Sequence, residues 1–436
     1  MNHADIDQQY SDLRASLTEY LLDGGRIAVV KAPPGSGKTH NLIEVLAVLV
    51  KAGKRIAVAA QTNSQADDIC ERFANAHPAI LVDRFTSKDY RLPGDFPGSI
   101  GHVTAAKDLH DEPGVVVGTT AKWSLTDLPG APFDLLAVDE GWQMAWADFM
   151  QCAKISGRFL LIGDPGQIPP VVTIDVRRWE TSPRAPHEAT PNIVLADPTI
   201  TDRFEGSLPA CRRLPHESVA YVKPFYDFDF SAYVEPGASG VDLPTGHFLD
   251  VLSDGRPVLA TLPTPVGGPP VEVDHELAAA IASLVEDLLA AAPTLRIDGH
   301  LAPLQPNHIG VTSSHRVMNS AIASALGARA QHVRVDTPER WQGLQKPMMI
   351  AVHPMSGVVS PSPFDLETGR LCVMASRHQA GLIIVSRDHV GETLANYVPA
   401  AEQAPGRPDR VGRGHDAHLK FWGSLVADER VRALTT

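Results

Sequence analysis

The sequence predicts an α/β protein with mostly parallel sheets, and three observations carry that prediction. Short, largely apolar runs at 26–31, 55–60, 114–118, 133–138 and 159–162 recur through the first half and read as buried strands. Segments of helical periodicity separate several of them, beginning with 41–50. A second alternating series fills 208–398. Strands that alternate with helices build a parallel sheet covered on both faces, and such strands are apolar throughout.

In chain order, 5–22 reads as an amphipathic helix and 26–31 as the first strand. A Gly-rich loop follows, then the helix at 41–50. After the strand at 55–60, a helix runs from Gln61 to about Phe73, with a short strand expected at 80–82. Residues 86–113, mixed with Pro and Gly, take no assignment. Residues 171–207 are rich in Pro, Thr and Asp and read as a linker with short elements of its own. Beyond it, 214–222, 258–261, 272–291, 309–311, 333–335, 348–352, 371–376 and 382–385 form the second series, with 262–270 as Pro/Gly loop. Residues 401–412 read as an exposed tether and 415–425 as a terminal helix.

The chain has 436 residues, enough for about three domains at ~150 residues each. Hydrophobic residues at 44% supply sizeable cores. The net charge of −13 argues against a surface coated for nonspecific nucleic-acid binding, but permits a local basic channel. Cys70, Cys152, Cys211 and Cys372 are far apart and suggest neither a disulfide framework nor a zinc site. There is no apolar leader, and no run approaches the ~20 residues of a membrane span, so a reduced, cytoplasmic protein without membrane contact is expected.

The chemistry begins at Ala32-Pro33-Pro34-Gly35-Ser36-Gly37-Lys38-Thr39, between a strand and a helix. Gly35 and Gly37 let backbone N–H groups converge on an anion, and the helix N-terminus adds partial positive charge there. Lys38 is placed for β- and γ-phosphates and the Thr39 hydroxyl for Mg²⁺. Asp139-Glu140 ends a buried strand. Asp139 suits Mg²⁺ and Glu140 the attacking water, although a carboxylate pair at a strand end also caps helices. Gly163-Asp164-Pro165-Gly166-Gln167 follows another strand, and its Gln167 is placed to sense a γ-phosphate; taken alone it is a turn.

Together with Thr62-Asn63, Thr119-Thr120, Gln143 and Pro170, these motifs resemble superfamily 1 helicases. Thr62-Asn63 and Gln143 resemble the Upframeshift-like (superfamily 1B) branch in particular. In the second half, Arg212-Arg213-Leu214-Pro215 with Phe225-Tyr226 resembles the arginine motif, Trp341-Gln342-Gly343 the fifth motif, and Met374-Ala375-Ser376-Arg377 the sixth. The resemblance covers about 26–390. It implies two RecA-like P-loop domains with mostly parallel sheets, at 1–195 and 196–400, with 401–436 as tether and helix. ATP and Mg²⁺ are the implied cofactors. The implied nucleotide contacts are Pro34, Gly35, Ser36, Gly37, Lys38, Thr39 and His40, joined by Gly343 and Gln345. Arg213 and Arg377 would meet the γ-phosphate, with Arg212 a close rival of Arg213. Gln345 stands where the family has Glu, which puts its ribose contact in question, and Gln8 and Gln9 lie further from the loop than the family's adenine-reading glutamine.

The resemblance further implies single-stranded DNA or RNA lying across both sheets, against Thr62, Asn63, Thr120, Lys122, Trp123, Thr312, Ser313, His315, Thr337 and Trp341. Hydroxyls and amides would hold phosphates without sequence preference. The two tryptophans would stack on bases, with burial between helix and sheet as the equal alternative. His315 and His378 read as ordinary polar contacts, not metal ligands. Two functions remain open: an ATP-driven 5′–3′ translocase or helicase, with unwinding weak or dependent on a protein partner in so short a chain, and a nucleotide-switched clamp on nucleic acid or protein. A metabolic kinase is the remote third.

Overall fold

The Ile27–Lys31 run sits inside an eight-stranded sheet, flanked on both sides by parallel neighbours, which is why it carries no alternation. The computed structural model describes residues 2–128, 130–171, 175–179, 181–400 and 409–434. In chain order the first unit contains α1 (His3–Leu22), β1 (Ile27–Lys31), α2 (Lys38–Lys51), β2 (Arg55–Ala60), α3 (Asn63–Ala76), β3 (Val82–Phe85), β4 (Gly101–Val103) and β5 (Gly114–Thr119). It continues with α4 (Thr120–Ser124), β6 (Leu135–Asp139), α5 (Trp146–Cys152), β7 (Phe159–Gly163), α6 (Thr190–Ala196) and β8 (Arg203–Ser207). The sheet order is β4-β3-β5-β2-β6-β7-β1-β8, parallel throughout.

Three sequence expectations are corrected here. The strand expected at 80–82 lies at Val82–Phe85, because 77–81 turns out of α3 before the chain can pair with β5. The stretch expected to be a linker supplies α6 and β8, and β8 closes the sheet against β1 despite its half-exposed, polar sequence. Edge strands need only one apolar flank, so periodicity hides them. The first unit therefore reaches Pro209 rather than 195.

The second unit takes in Gly166–Ile168 and runs on from Ala210. Its small pairings are β9 (Ala210–Cys211) with β10 (Ser231–Ala232), and β11 (Gly240–Asp242) with β13 (Thr294–Ile297) and β14 (His300–Pro303). Its main sheet uses β12 (Val258–Leu262), β15 (Ile309–Thr312), β16 (Arg334–Asp336), β17 (Lys346–Val352), β18 (His378–Arg387) and β19 (Val431–Ala433), ordered β16-β15-β17-β18-β12-β19 and parallel. The helices are α7 (Val219–Val222), α8 (His275–Ala290), α9 (Arg316–Leu326), α10 (Pro338–Trp341), α11 (Thr368–Ala375), α12 (Val390–Asn396) and α13 (Arg410–Ala427). Residues 401–408 of the expected tether lie outside the described residues; 410–412 already belong to α13, and β19 completes the sheet.

Six strands of each sheet follow one winding plan. Substituting β12, β15, β16, β17, β18 and β19 for β1, β2, β5, β6, β7 and β8 reproduces the order β5-β2-β6-β7-β1-β8. The two halves are thus repeats of one α/β architecture, each with ligand-accessible loops at its carboxyl edge.

The second unit also buries three histidines. His353 and His418 pack edge to face, with ring centroids 5.3 Å apart, and His353 meets Trp422 on α13. Burial pushes His418 down to about 3, with His415 adding to the shift, and pushes His353 well below its usual range, with His418 and His389 adding. His378, buried beside Ser218, is pushed down to about 3 by burial and then by Arg213. All three are neutral in the folded chain, whereas the unfolded chain takes up their protons below pH ~6.5. Stability is therefore expected to fall as pH drops from 6.5 towards 5, by about 2 kcal/mol at pH 5 for each of His378 and His418, with His353 acting in the same direction. Urea unfolding across that range measures it, and a flat profile would contradict it.

Candidate nucleotide and nucleic-acid site

The phosphate loop is shaped by its glycines and held from behind by α1. Gly35 and Gly37 have φ of +62° and +74°, the left-handed region where a side chain is strained. α2 begins at Lys38, three residues earlier than its apolar pattern suggests, because its first turn points at the loop rather than the core. Tyr10 of α1, buried on the face shared with Ile6, Leu17 and Leu21, donates its hydroxyl to the Ser36 carbonyl at 2.9 Å. Sequence reasoning missed Tyr10. Its signal was a polar tip on an otherwise apolar helix stripe, which needs a partner when buried.

At the ends of β1 and β6 the charges converge. Lys38 Nζ lies 2.7 Å from Asp139 Oδ1 and 2.6 Å from Glu140 Oε1, and the Thr39 hydroxyl lies 3.4 Å from Asp139 Oδ2. Burial pushes the Lys38 ammonium down, but the carboxylates of Asp139 and Glu140 more than offset this and hold it above its ordinary range. Glu140 has φ of +56°, a strained backbone for a non-glycine residue, with its N–H bonded to Asp139 Oδ1. The Ser36 hydroxyl is buried without a hydrogen-bond partner. A hydroxyl facing a carboxylate is a hard oxygen set of the kind Mg²⁺ accepts, and the residues fit that ion. His40 is exposed and Pro34 buried. Gln8 is exposed on α1 and bonds Asp12 of the same helix.

In the second unit, three motif regions meet. Arg213 donates from Nε to Gln345 Oε1 at 2.7 Å and from Nη1 to the Ser376 carbonyl at 3.1 Å. Its rival Arg212 lies 3.7 Å over the Tyr233 ring. Gln345, expected at a ribose, is exposed and its amide oxygen accepts from Arg213. Gly343 is exposed at φ +77°. Arg377 is 1% exposed, and its Nε and Nη2 have no hydrogen-bond partner. A buried guanidinium with unmatched donors is costly without an anion. Gln167, between buried Gly166 and Ile168, belongs with the second unit.

The nucleic-acid expectations divide. Trp123 is 0% exposed, donates from Nε1 to the Val58 carbonyl at 2.8 Å, and packs on Phe85 and Phe133. Trp341 is 1% exposed and donates to the Val311 carbonyl at 3.2 Å. Both are corrected from base stackers to core residues. Each follows a Thr at an extended N-cap by four residues, and each sits where a neighbouring glycine leaves room: a Cβ on Gly118 or Gly310 would lie 2.9 or 2.5 Å from the indole. Trp123→Phe is accordingly expected to lower stability by about 1–3 kcal/mol, through the lost indole hydrogen bond and the volume removed from a close-packed site, with strand affinity of the folded protein unchanged. Unchanged stability with weakened strand binding would reverse that assignment.

Thr120 is buried and donates to the Ala60 carbonyl; Lys122 donates to the Thr104 carbonyl and lies over Phe85, its amine lowered by burial and by Lys88. Thr62 caps α3 through Gln65 and is exposed, and Asn63 Oδ1 holds Arg84, itself tied to Asp67. Thr312, Ser313 and Thr337 are buried, and His315 is half-buried with its ring 5.7 Å from that of Phe364. Among the described residues, no group of three or more His, Cys, Asp or Glu is arranged for a metal, and no helix is long and apolar enough to cross a membrane.

A family model described as an AAA domain matches residues 7–92. The chain is 28% identical over 159 residues to the DNA replication ATP-dependent helicase/nuclease DNA2 of Saccharomyces cerevisiae, a match covering 35% of this chain and 10% of that protein. It is 36% identical over 64 residues to the DNA polymerase alpha-associated DNA helicase A of Schizosaccharomyces pombe, covering 13% of this chain and 10% of that one. It thus matches about a tenth of the length of these curated relatives. Among solved structures it is similar to the arterivirus nonstructural protein 10 helicase, at 17% identity and a TM-score of 0.44, covering 84% of this chain and 61% of that one. The sequence matches support the likeness to superfamily 1 helicases carried by the motifs, and agree with the Upframeshift-like branch.

Proposed function

We propose that this chain, similar to the superfamily 1 helicases in motif order and in sequence, is an ATP-driven translocase on single-stranded DNA or RNA with 5′–3′ polarity. The observation that carries the reading is Lys38 bridging Asp139 and Glu140 at the end of two buried strands. An ammonium so placed exchanges its carboxylates for the β- and γ-phosphates of an incoming triphosphate. That exchange frees Glu140 to orient water and take its proton. Thr39 and Asp139 would hold Mg²⁺, which when bound neutralises phosphate charge. Arg213 and Arg377 supply charge to the terminal phosphate, and Gln345 and Ser376 hold Arg213 in place for it. Gln167 follows the γ-phosphate, and the exposed Thr62 is placed for a strand phosphate.

The test is ATP turnover with single-stranded DNA, single-stranded RNA and duplex, beside a Lys38→Ala control. Stimulation by a single strand supports the motor. Turnover indifferent to every nucleic acid removes it. Displacement of streptavidin from one strand end and not the other separates translocation from a switched clamp.

A further inference from the structure

The second unit has a cavity of about 450 Å³ that the nucleotide chemistry does not use. It opens at the carboxyl edge of the main sheet, walled by the loop after β12, the loop after β15 and the loop after β17. These are the second unit's counterparts of the loops after β1, β2 and β6, so the cavity occupies the position in the repeat that the phosphate site occupies in the first unit. Its chemistry is different. Among its lining residues are Glu272, Asp274 and Asp365, and there is no Lys or Arg. Asp274 is neutralised by Arg387, with contacts of 2.7 and 2.8 Å. No cation in the lining answers Glu272 or Asp365, so a phosphate is repelled.

The walls are apolar and aromatic: Leu277, Met318, Val358 and Phe364, with His315 beside Phe364. Arg370 lies 4.0 Å over the Phe364 ring and holds it in place. Two lining residues carry buried atoms that lack a partner, the Oγ of half-buried Ser314 and the Nε2 of buried His353. A flat, largely apolar ligand with hydrogen-bonding edges matches this lining, and its size lies in the range of small-ligand sites. We propose that the cavity receives one unstacked nucleobase of the bound single strand, its plane against the Phe364 wall and its edge towards Ser314 and His353. The inference rests on the single-strand reading above and adds that this segment of the track grips the base, not the backbone.

The test compares a labelled oligonucleotide with the same strand carrying abasic sites, which keeps every phosphate. Wild type is expected to bind the intact strand roughly tenfold more tightly, the size of a base–aromatic contact. Phe364→Ala is expected to abolish that preference without changing affinity for the abasic strand. Val359→Trp, an exposed rim position that obstructs the mouth without entering the core, is expected to do the same. Equal wild-type affinity for the two strands, or a preference that survives both variants, overturns the pocket. ATP turnover stimulated equally by intact and abasic strands would show the track standing while the pocket fails. Absence of binding to either strand overturns both readings.

Discussion

Glu140→Gln is expected to lower strand-stimulated ATP turnover by roughly 10²–10⁴-fold while ATP still binds. The amide keeps the shape of the side chain and the neighbouring Asp139, but cannot accept a proton from water. It also removes one of the two carboxylates that hold Lys38 at 2.6 and 2.7 Å. The side chain at position 140 then competes less with phosphate for Lys38, so nucleotide affinity is expected to be equal or higher. Lys38→Ala is the opposite control: it leaves the Asp139 and Glu140 carboxylates without their cation, and both binding and turnover are lost. Single-turnover hydrolysis with a separate fluorescent-nucleotide titration distinguishes them. A Glu140→Gln protein that turns over at the normal rate would take Glu140 out of the reaction.

Arg213→Ala is expected to reduce kcat by about 10³-fold or more, the lower end for a charge-stabilising arginine, with a small effect on KM. Arg212→Ala is expected to do little, since that side chain rests on Tyr233. Gln345→Ala is the informative third variant. It removes the acceptor that fixes Arg213 Nε but leaves the Ser376 carbonyl, so a partial loss of kcat is expected. Arg377→Lys keeps a charge but loses the planar donors that have no partner, and is expected to fall with Arg213→Ala. Equal loss from Arg212→Ala and Arg213→Ala would refute the division of roles drawn from their contacts.

The phosphate loop, the acidic pair and the central strands were legible in the sequence because each is a local pattern: glycines at fixed offsets, or an apolar run long enough to be buried on both faces. What escaped was set by tertiary neighbours. β8 is polar and half-exposed, yet it pairs with β1. Trp123 and Trp341 looked suited to stacking because nothing in their own segments reveals that Gly118 and Gly310 leave space for an indole. Tyr10 lies 26 residues from the carbonyl it binds, and Gln345 lies 132 from Arg213. Arg212 and Arg213 are equivalent by spacing; only their contacts separate them.

The shared winding order carries a stoichiometric consequence. Where the first repeat has the lysine-bearing loop, the second has 262–270, a lysine-free Pro/Gly stretch, and where the first has Asp139-Glu140 the second has Val352-His353. One half carries the lysine loop and the acidic pair, and its twin carries neither. A saturation isotherm with a nonhydrolysable triphosphate should therefore plateau at a single equivalent per chain, and any mechanical cycle this molecule performs is fuelled one molecule at a time.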